Sequence, residues 1–391
     1  MTRRSNWIIG IAGCASIGLF IGLAIGPGLV DRAQNKVVGT QAVASSVASQ
    51  LHHQLTVIDM HGDTLLWKRN VLTPTHLGHI DLQRLQQGGV TLQIFSSVSQ
   101  VPRGINYQSN PPSDSLTPLA ILQLQPPSTW FSPLGRTLYH SRKLADAVAR
   151  SDGQLMAIRT RDDLESLLAA HSQPAARRPI GALFSVEGLQ NLEGDIANLN
   201  LLYDAGVRMA GLAHFFDNDV AGSMHGEHKG GLTPLGRKVV AEMERRGMVI
   251  DIAHASHQTV ADVLAMATRP VVSSHGGVQA TCHENRNLTD DEIRGVARLH
   301  GVIGVGVWDA AVCGTEPKDT ARAMRHIRDL VGIETVGLGT DFDGAITAGY
   351  DASRLELITQ ALLDECFNDA EISLALGGNS LRVLREVLPR N

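Results

Sequence analysis

The sequence predicts an α/β protein, a (β/α)8 barrel preceded by a hydrophobic N-terminal helix, and three observations carry that reading. From Val57 onward one phrase recurs eight times: a short apolar, Gly-containing run that ends in a polar residue, followed by a stretch with helical periodicity. No Gly-rich phosphate loop follows the first run, which separates the pattern from an open doubly wound sheet. An uncharged segment, Trp7 to Val30, stands ahead of everything else.

That first segment is long enough to cross about 30 Å of hydrocarbon, and it reads as an export signal or a membrane anchor. Arg3 and Arg4 on its short leading side predict that this end stays in the cytoplasm and that the rest lies outside, in a bacterial periplasm. Ile11–Cys14 resembles a lipoprotein cleavage box, and Arg3–Arg4 resembles part of a twin-arginine signal. The small polar stretch Gln41–Gln50 then acts as a linker. The expected organisation is therefore a signal or anchor with linker over 1–50 and a barrel domain over 51–391.

The eight expected strands are Val57–Asp63, Val90–Ser96, Ile180–Glu187, Val207–His214, Met248–His254, Pro270–His275, Val302–Trp308 and Thr335–Asp341. Helix starts stand between them: Thr233 before Pro234, Ser256 before a Val/Leu/Met periodicity, and Thr289–Glu292 as a capping box. The gap between the second and third strands holds 7 of the 15 prolines, so it cannot be regular throughout. On a barrel such an insertion after a strand falls on the active-site face, as a wall or as a passive loop.

A net charge of −5 with scattered Lys and Arg gives no basic field for a phosphate backbone, which argues against nucleic acid as a partner. Apart from Cys14, the cysteines are Cys282, Cys313 and Cys366; none has CxxC spacing, so a thiolate metal site is not supported, while an exported chain allows one disulfide.

Sixteen histidines are many for this length, and their positions carry the chemistry. His61 and Asp63 are two apart at the end of the first run and would share one face of a strand. Glu187 ends the third run, His214 the fourth, His254 the fifth, His275 the sixth and Asp341 the eighth. In a parallel barrel these ends converge on one rim. A lone His at a strand end is ordinarily a hydrogen-bonded polar residue, but burying this many ionisable groups together without a metal would be costly. Three His with one Asp and one Glu suit Zn²⁺, with Mn²⁺ or Co²⁺ as alternatives. Five ligands exceed what one catalytic zinc takes; two metals sharing a carboxylate account for all five. His52, His53, His76, His79, His225, His228 and His300 lie outside strand ends and are expected to be surface or loop residues.

From about Val57 to Leu388 the chain resembles the membrane dipeptidases, a renal dipeptidase-like family of the amidohydrolase superfamily. The motifs are Ile58–Asp63, Ser185–Gly188, Leu212–His214 with Asn218, Gly247–His254, Ser274–His275, Arg286–Asn287 and Gly339–Gly344. The resemblance implies that His61, Asp63 and Glu187 hold one zinc and that Glu187, His254 and His275 hold the other. It implies hydrolysis of dipeptides by a metal-bridging hydroxide, with His214 on the developing oxyanion, Asp341 as proton carrier and Arg286 on the substrate's carboxylate. Chemistry supports each role: metals lower the pKa of water, a positioned carboxylate moves protons, and guanidinium forks match carboxylates. It also implies that Cys282 and Cys313 are bridged, Cys366 being left free in its helix; family members are often dimers, so a homodimer is possible, while the sequence itself leaves the oligomeric state open. The other readings are an amidohydrolase acting on a small amide or lactone, and a tethered binding protein without catalysis. The Pro-rich insertion and Phe215–Ser223 are where side-chain specificity would be set.

Overall fold

The structure, a computed structural model, describes residues 22–172 and 178–390. Eleven strands occur among them: β1 (Lys36–Val37), β2 (Val57–Gly62), β3 (Val90–Val98), β4 (Leu155–Ala157), β5 (Ile180–Glu187) and β6 (Val207–Gly211), then β7 (Val249–Asp251), β8 (Val272–Gly276), β9 (Val302–Val305), β10 (Val336–Leu338) and β11 (Thr347–Ala348).

Eight of them close a parallel barrel in the order β2, β3, β5, β6, β7, β8, β9, β10 and back to β2. These are the eight expected runs. Both faces of every barrel strand are buried, which is why each reads as a continuous apolar run rather than an alternating one. The additional strand β4 pairs with the first half of β5, whose second half pairs with β6.

Helices connect the strands as the capping signals require. Thr233 caps the helix Pro234–Arg246, Ser256 caps His257–Met266, and Thr289 with Glu292 closes a capping box on Asp290–Arg298. The Pro-rich insertion contains the helices Leu116–Leu122 and Pro133–Arg150. Buried Arg136 ties its irregular part together, donating to the carbonyls of Ser99 and Thr129 and pairing with Asp114.

Of the expected N-terminal hydrophobic segment, residues 1–21, Cys14 included, lie outside the described residues; residues 22–34 are helical. Among the described residues no helix is long and apolar enough to cross a membrane. From Asp31 the chain packs on the barrel, and β1 runs parallel to β11.

Candidate metal centre and substrate cavity

The polar ends of the barrel strands meet on one rim, at the floor of a cavity of about 380 Å³. His61 is the last residue but one of β2, and Asp63 follows the strand in a turn conformation, with φ −103° and ψ 26°, rather than on the strand face expected. The two groups still converge, His61 Nε2 lying 3.5 Å from Asp63 Oδ1. Glu187 ends β5. His214, His254 and Asp341 stand three residues beyond β6, β7 and β10, in the loops and not at strand ends. His254 and Asp341 are there held in left-handed backbone, with φ 61° and φ 60°. Only a glycine fits at 344, where a Cβ would come within 2.2 Å of Asp341 Oδ1.

Glu187 is the centre of the cluster. Its Oε1 lies 3.1 Å from His254 Nε2, 3.2 Å from His275 Nε2 and 3.7 Å from His61 Nε2, and its Oε2 lies 3.3 Å from His214 Nε2. Three groupings have the compactness a metal ion needs: His61, Asp63 and Glu187; Glu187, His254 and His275; and His61, His275 and Asp341. The first two share Glu187.

The electrostatics call for positive charge. Burial, then the neighbouring Asp63, pushes Glu187 well above the usual carboxylate range, and burial pushes Asp341 up to about 8. Burial alone would keep His61 neutral, yet Asp63, Glu187 and Asp341 outweigh it and drive the ring to about 10. A proton held that tightly among three carboxylates marks a place where cations fit. His61 Nε2 and Asp63 Oδ1 are also buried without a hydrogen-bond partner. The donor set therefore fits divalent metal ions.

The supporting groups fix which nitrogen is available. Ser274 Oγ donates to Asp251 Oδ2 at 2.6 Å, so at 2.8 Å it must accept from His275 Nδ1–H, which leaves His275 Nε2 with a free lone pair facing Glu187. Asp251 also accepts from the backbone of Ser274 and Ala253. Asp59 does the same on the other side, accepting from Thr340 N and Thr340 Oγ1 and so tying the loop of Asp341 to β2. Burial lowers His214 to about 3, so its ring is neutral; Nδ1 faces the Gln100 carbonyl at 3.4 Å, and Nε2 lies 3.3 Å from Glu187 Oε2.

Arg286 is buried and has no carboxylate in ion-pair range among the described residues. Its Nη2 donates to the His275 carbonyl at 3.0 Å, its guanidinium lies 4.7 Å from the Trp308 ring centroid, and Nε has no partner. The disulfide between Cys282 and Cys313 joins the loops after β8 and β9, which carry Arg286 and Trp308. Cys366 is free and exposed, just past its helix rather than in it.

Several neighbours escaped the sequence reading. His225, expected to be a surface or loop residue, does lie in a turn but is buried; its Nδ1 is 2.8 Å from the Tyr107 carbonyl, and its ring stacks on Phe215 at 4.5 Å, beside His254. His52 and His79 are likewise buried, bonded to Thr359 and near Asp343. The Pro-rich insertion supplies Val101, Ile105 and Tyr107 to the cavity, so it is a wall of the site. A larger cavity of about 830 Å³ lies at the other end of the barrel, beside the starts of β3 and β5, and none of the three ligand groupings borders it.

Residues 45–389 match the family model of the membrane dipeptidases, peptidase family M19. The chain belongs to that family. It is 33% identical over 222 residues to the dipeptidase aclJ of Aspergillus oryzae, an alignment that covers 53% of this chain and 52% of the relative. The chain thus spans about half the length of the curated relatives it matches. Among solved structures it resembles the probable dipeptidase PvdM of Pseudomonas aeruginosa, with TM-score 0.72 and 20% identity over 88% of this chain and 98% of that one. It also resembles a metallopeptidase of Rhodobacter sphaeroides bound to a phosphinate mimic of the dipeptide L-Ala-D-Ala. There the TM-score is 0.66 and identity 23%, over 85% and 99% of the two chains. At these identities the two structures share the barrel fold with this member of the family.

Proposed function

We propose that the protein is a metal-dependent dipeptidase that hydrolyses free dipeptides in the 380 Å³ cavity. The observation that carries the reading is the presence, in one cavity, of a carboxylate common to two potential ligand triads and a buried guanidinium with no carboxylate of its own. His61, Asp63 and Glu187 would hold one cation and Glu187, His254 and His275 the other, with Zn²⁺ favoured by the imidazole and carboxylate donors and Mn²⁺ or Co²⁺ as alternatives. When bound, such a pair lowers the pKa of water and polarises the scissile carbonyl.

The protein's own groups do the rest. Arg286 pairs with the substrate's carboxylate and so sets the scissile carbonyl over the cluster. His214 Nε2 faces the same space, and in the tautomer that carries the ring's hydrogen there it can donate to the oxygen on which negative charge develops. Asp341 Oδ1 lies 3.9 Å from His61 Nε2, above the cluster, where it can take a proton from the attacking water and return it to the leaving amine. Phe215, Tyr107 and Trp308 line the cavity and exclude bulk water.

We place the barrel domain outside the cytoplasm, tethered or exported through the segment before residue 31. The reading draws on the uncharged run behind Arg3 and Arg4, and on a Cys282–Cys313 bridge that needs an oxidising compartment. A homodimer remains the family's expectation for its assembly. The experiment is metal analysis of the full-length protein together with a panel of free and C-terminally amidated dipeptides. Hydrolysis confined to free dipeptides, with about two metal ions per chain, supports the proposal; a metal-loaded protein that turns over no dipeptide refutes it.

A further inference from the structure

The cavity reaches beyond the metal cluster to the loops after β2 and β10, and its lining there includes Leu66, Gly344, Ile346 and Thr347 together with Gln34, a residue from the segment that precedes the barrel. That segment is fixed on both sides of Gln34. Asp31, which is 2% exposed, pairs with Arg69 at 2.6 Å, and Arg69 in turn pairs with Asp343 at 2.9 Å. Asn35, 5% exposed, donates to Asp31 Oδ1 and accepts from the Ala345 amide, both at 2.9 Å. Lys36 N and Val38 N then donate to the carbonyls of Ile346 and Ala348, each at 3.0 Å. Val30 packs against the cluster of Leu66, Trp67 and Val98. Between these anchors Gln34 is exposed to the cavity mouth, and its side chain has no hydrogen-bond partner among the described residues.

Arg286 stands after β8, whereas Gln34 lies over the loops of β2 and β10, which are neighbours of each other but are separated from β8 by β9. Across the ring β8 faces β3, and the loop of β2 under Gln34 is next to it, so a peptide held by its carboxylate at Arg286 and by its carbonyl over the cluster can extend its amino end along the wall that Gln34 forms. Each further residue adds up to about 3.6 Å. We propose that residues 31–37, with Gln34 at the front, form the stop at the amino end of the substrate, so that this segment sets the maximum peptide length just as Arg286 sets the register. The inference rests on the dipeptidase reading, because Arg286 defines the carboxylate end.

The test uses the full chain with Gln34→Gly, which opens the wall, and Gln34→Trp, which thickens it; the anchors Asp31 and Asn35 are left in place. Substrates are free dipeptides and the tripeptides made by adding one residue at the amino end. In a tripeptide, water adds across the last peptide bond and releases the C-terminal amino acid and a dipeptide. Gln34→Gly should raise the tripeptide-to-dipeptide ratio of kcat/KM by roughly tenfold or more, a gain that misfolding cannot produce. Gln34→Trp should lower kcat/KM for dipeptides with a bulky first residue more than for those beginning with Gly. Equilibrium binding of the same peptides, measured by calorimetry, gives an independent ratio. If wild type hydrolyses no dipeptide, the dipeptidase reading fails, and the binding ratio still decides the position of the wall. Ratios unchanged by both substitutions, in turnover and in binding, overturn the proposal.

Discussion

Arg286→Ala is the substitution whose effect the structure defines best. The side chain is 5% exposed and lacks an ion-pair partner of its own, so a substrate carboxylate would meet it in a largely dry site. Removing one member of a buried, hydrogen-bonded charge pair costs about 2–5 kcal/mol. At about 1.4 kcal/mol per tenfold, kcat/KM for free dipeptides should fall roughly 30-fold to 4,000-fold. Arg286 also donates to the carbonyl of His275, a hydrogen bond from a charged group worth about 1.5–3 kcal/mol. Its loss would disturb a residue of the candidate metal centre and should slow every substrate alike. The carboxylate contribution is therefore isolated by comparing each free dipeptide with its amide, in wild type and variant. The amide should be poor from the start and lose only the common part. Arg286→Lys should recover a fraction of the free-dipeptide rate, because an ammonium cannot reproduce two parallel hydrogen bonds. Equal losses for free and amidated dipeptides would show that the carboxylate is recognised elsewhere.

Glu187→Gln should lower bound metal from about two ions per chain and abolish turnover with it, read by elemental analysis of the purified variant; full occupancy with unchanged turnover would remove Glu187 from the centre. Replacing Cys282 and Cys313 by Ser opens a covalent loop of sequence separation 31, and should cost about 3.7 kcal/mol of unfolding free energy in urea titrations under oxidising conditions. His257 is hydrogen-bonded to Glu292 at 2.6 Å, which raises its pKa above the usual 6.5. A raised histidine stabilises fully below the unfolded value and loses that contribution as pH rises through the folded value. The stability gap between wild type and His257→Gln should accordingly be largest below about pH 6.5 and shrink above it. Because the ring is half exposed, the gap should stay under about 1 kcal/mol; a gap that widens with pH would contradict the assignment.

The eight strands were legible because double burial writes each as an unbroken apolar run, and the cluster on the rim was legible because an ionisable residue closes most of those runs. What the runs did not reveal is where the strands stop. Leu212, Ala213, Ile252 and Ala253 are as apolar as strand residues, yet they belong to buried loops, and so His214 and His254 sit past the strands instead of on them. Asp59 and Asp251 were visible as carboxylates inside apolar runs, an unusual placement that could have flagged them as supports for the centre. The Pro-rich insertion and Phe215–Ser223 stood out as segments, but nothing in them singled out Tyr107 as a lining residue, and His225 carried no signal at all. They reach the site through contacts between distant loops, such as the bridge between Asn110 and Gly226. The segment around Gln34 was equally silent, since its partners at Ala345–Ala348 stand some 310 residues away.

The pairing of β1 with β11 also orients the molecule. The chain arrives at the mouth of the barrel and not at its base, and the helix over residues 22–34 that delivers it is only about 20 Å long at 1.5 Å per residue. The helix lies along the protein, Gly26 against Leu122 and Gly28 against Leu77, so an attachment made through the residues before it would share one side of the molecule with the opening of the cavity.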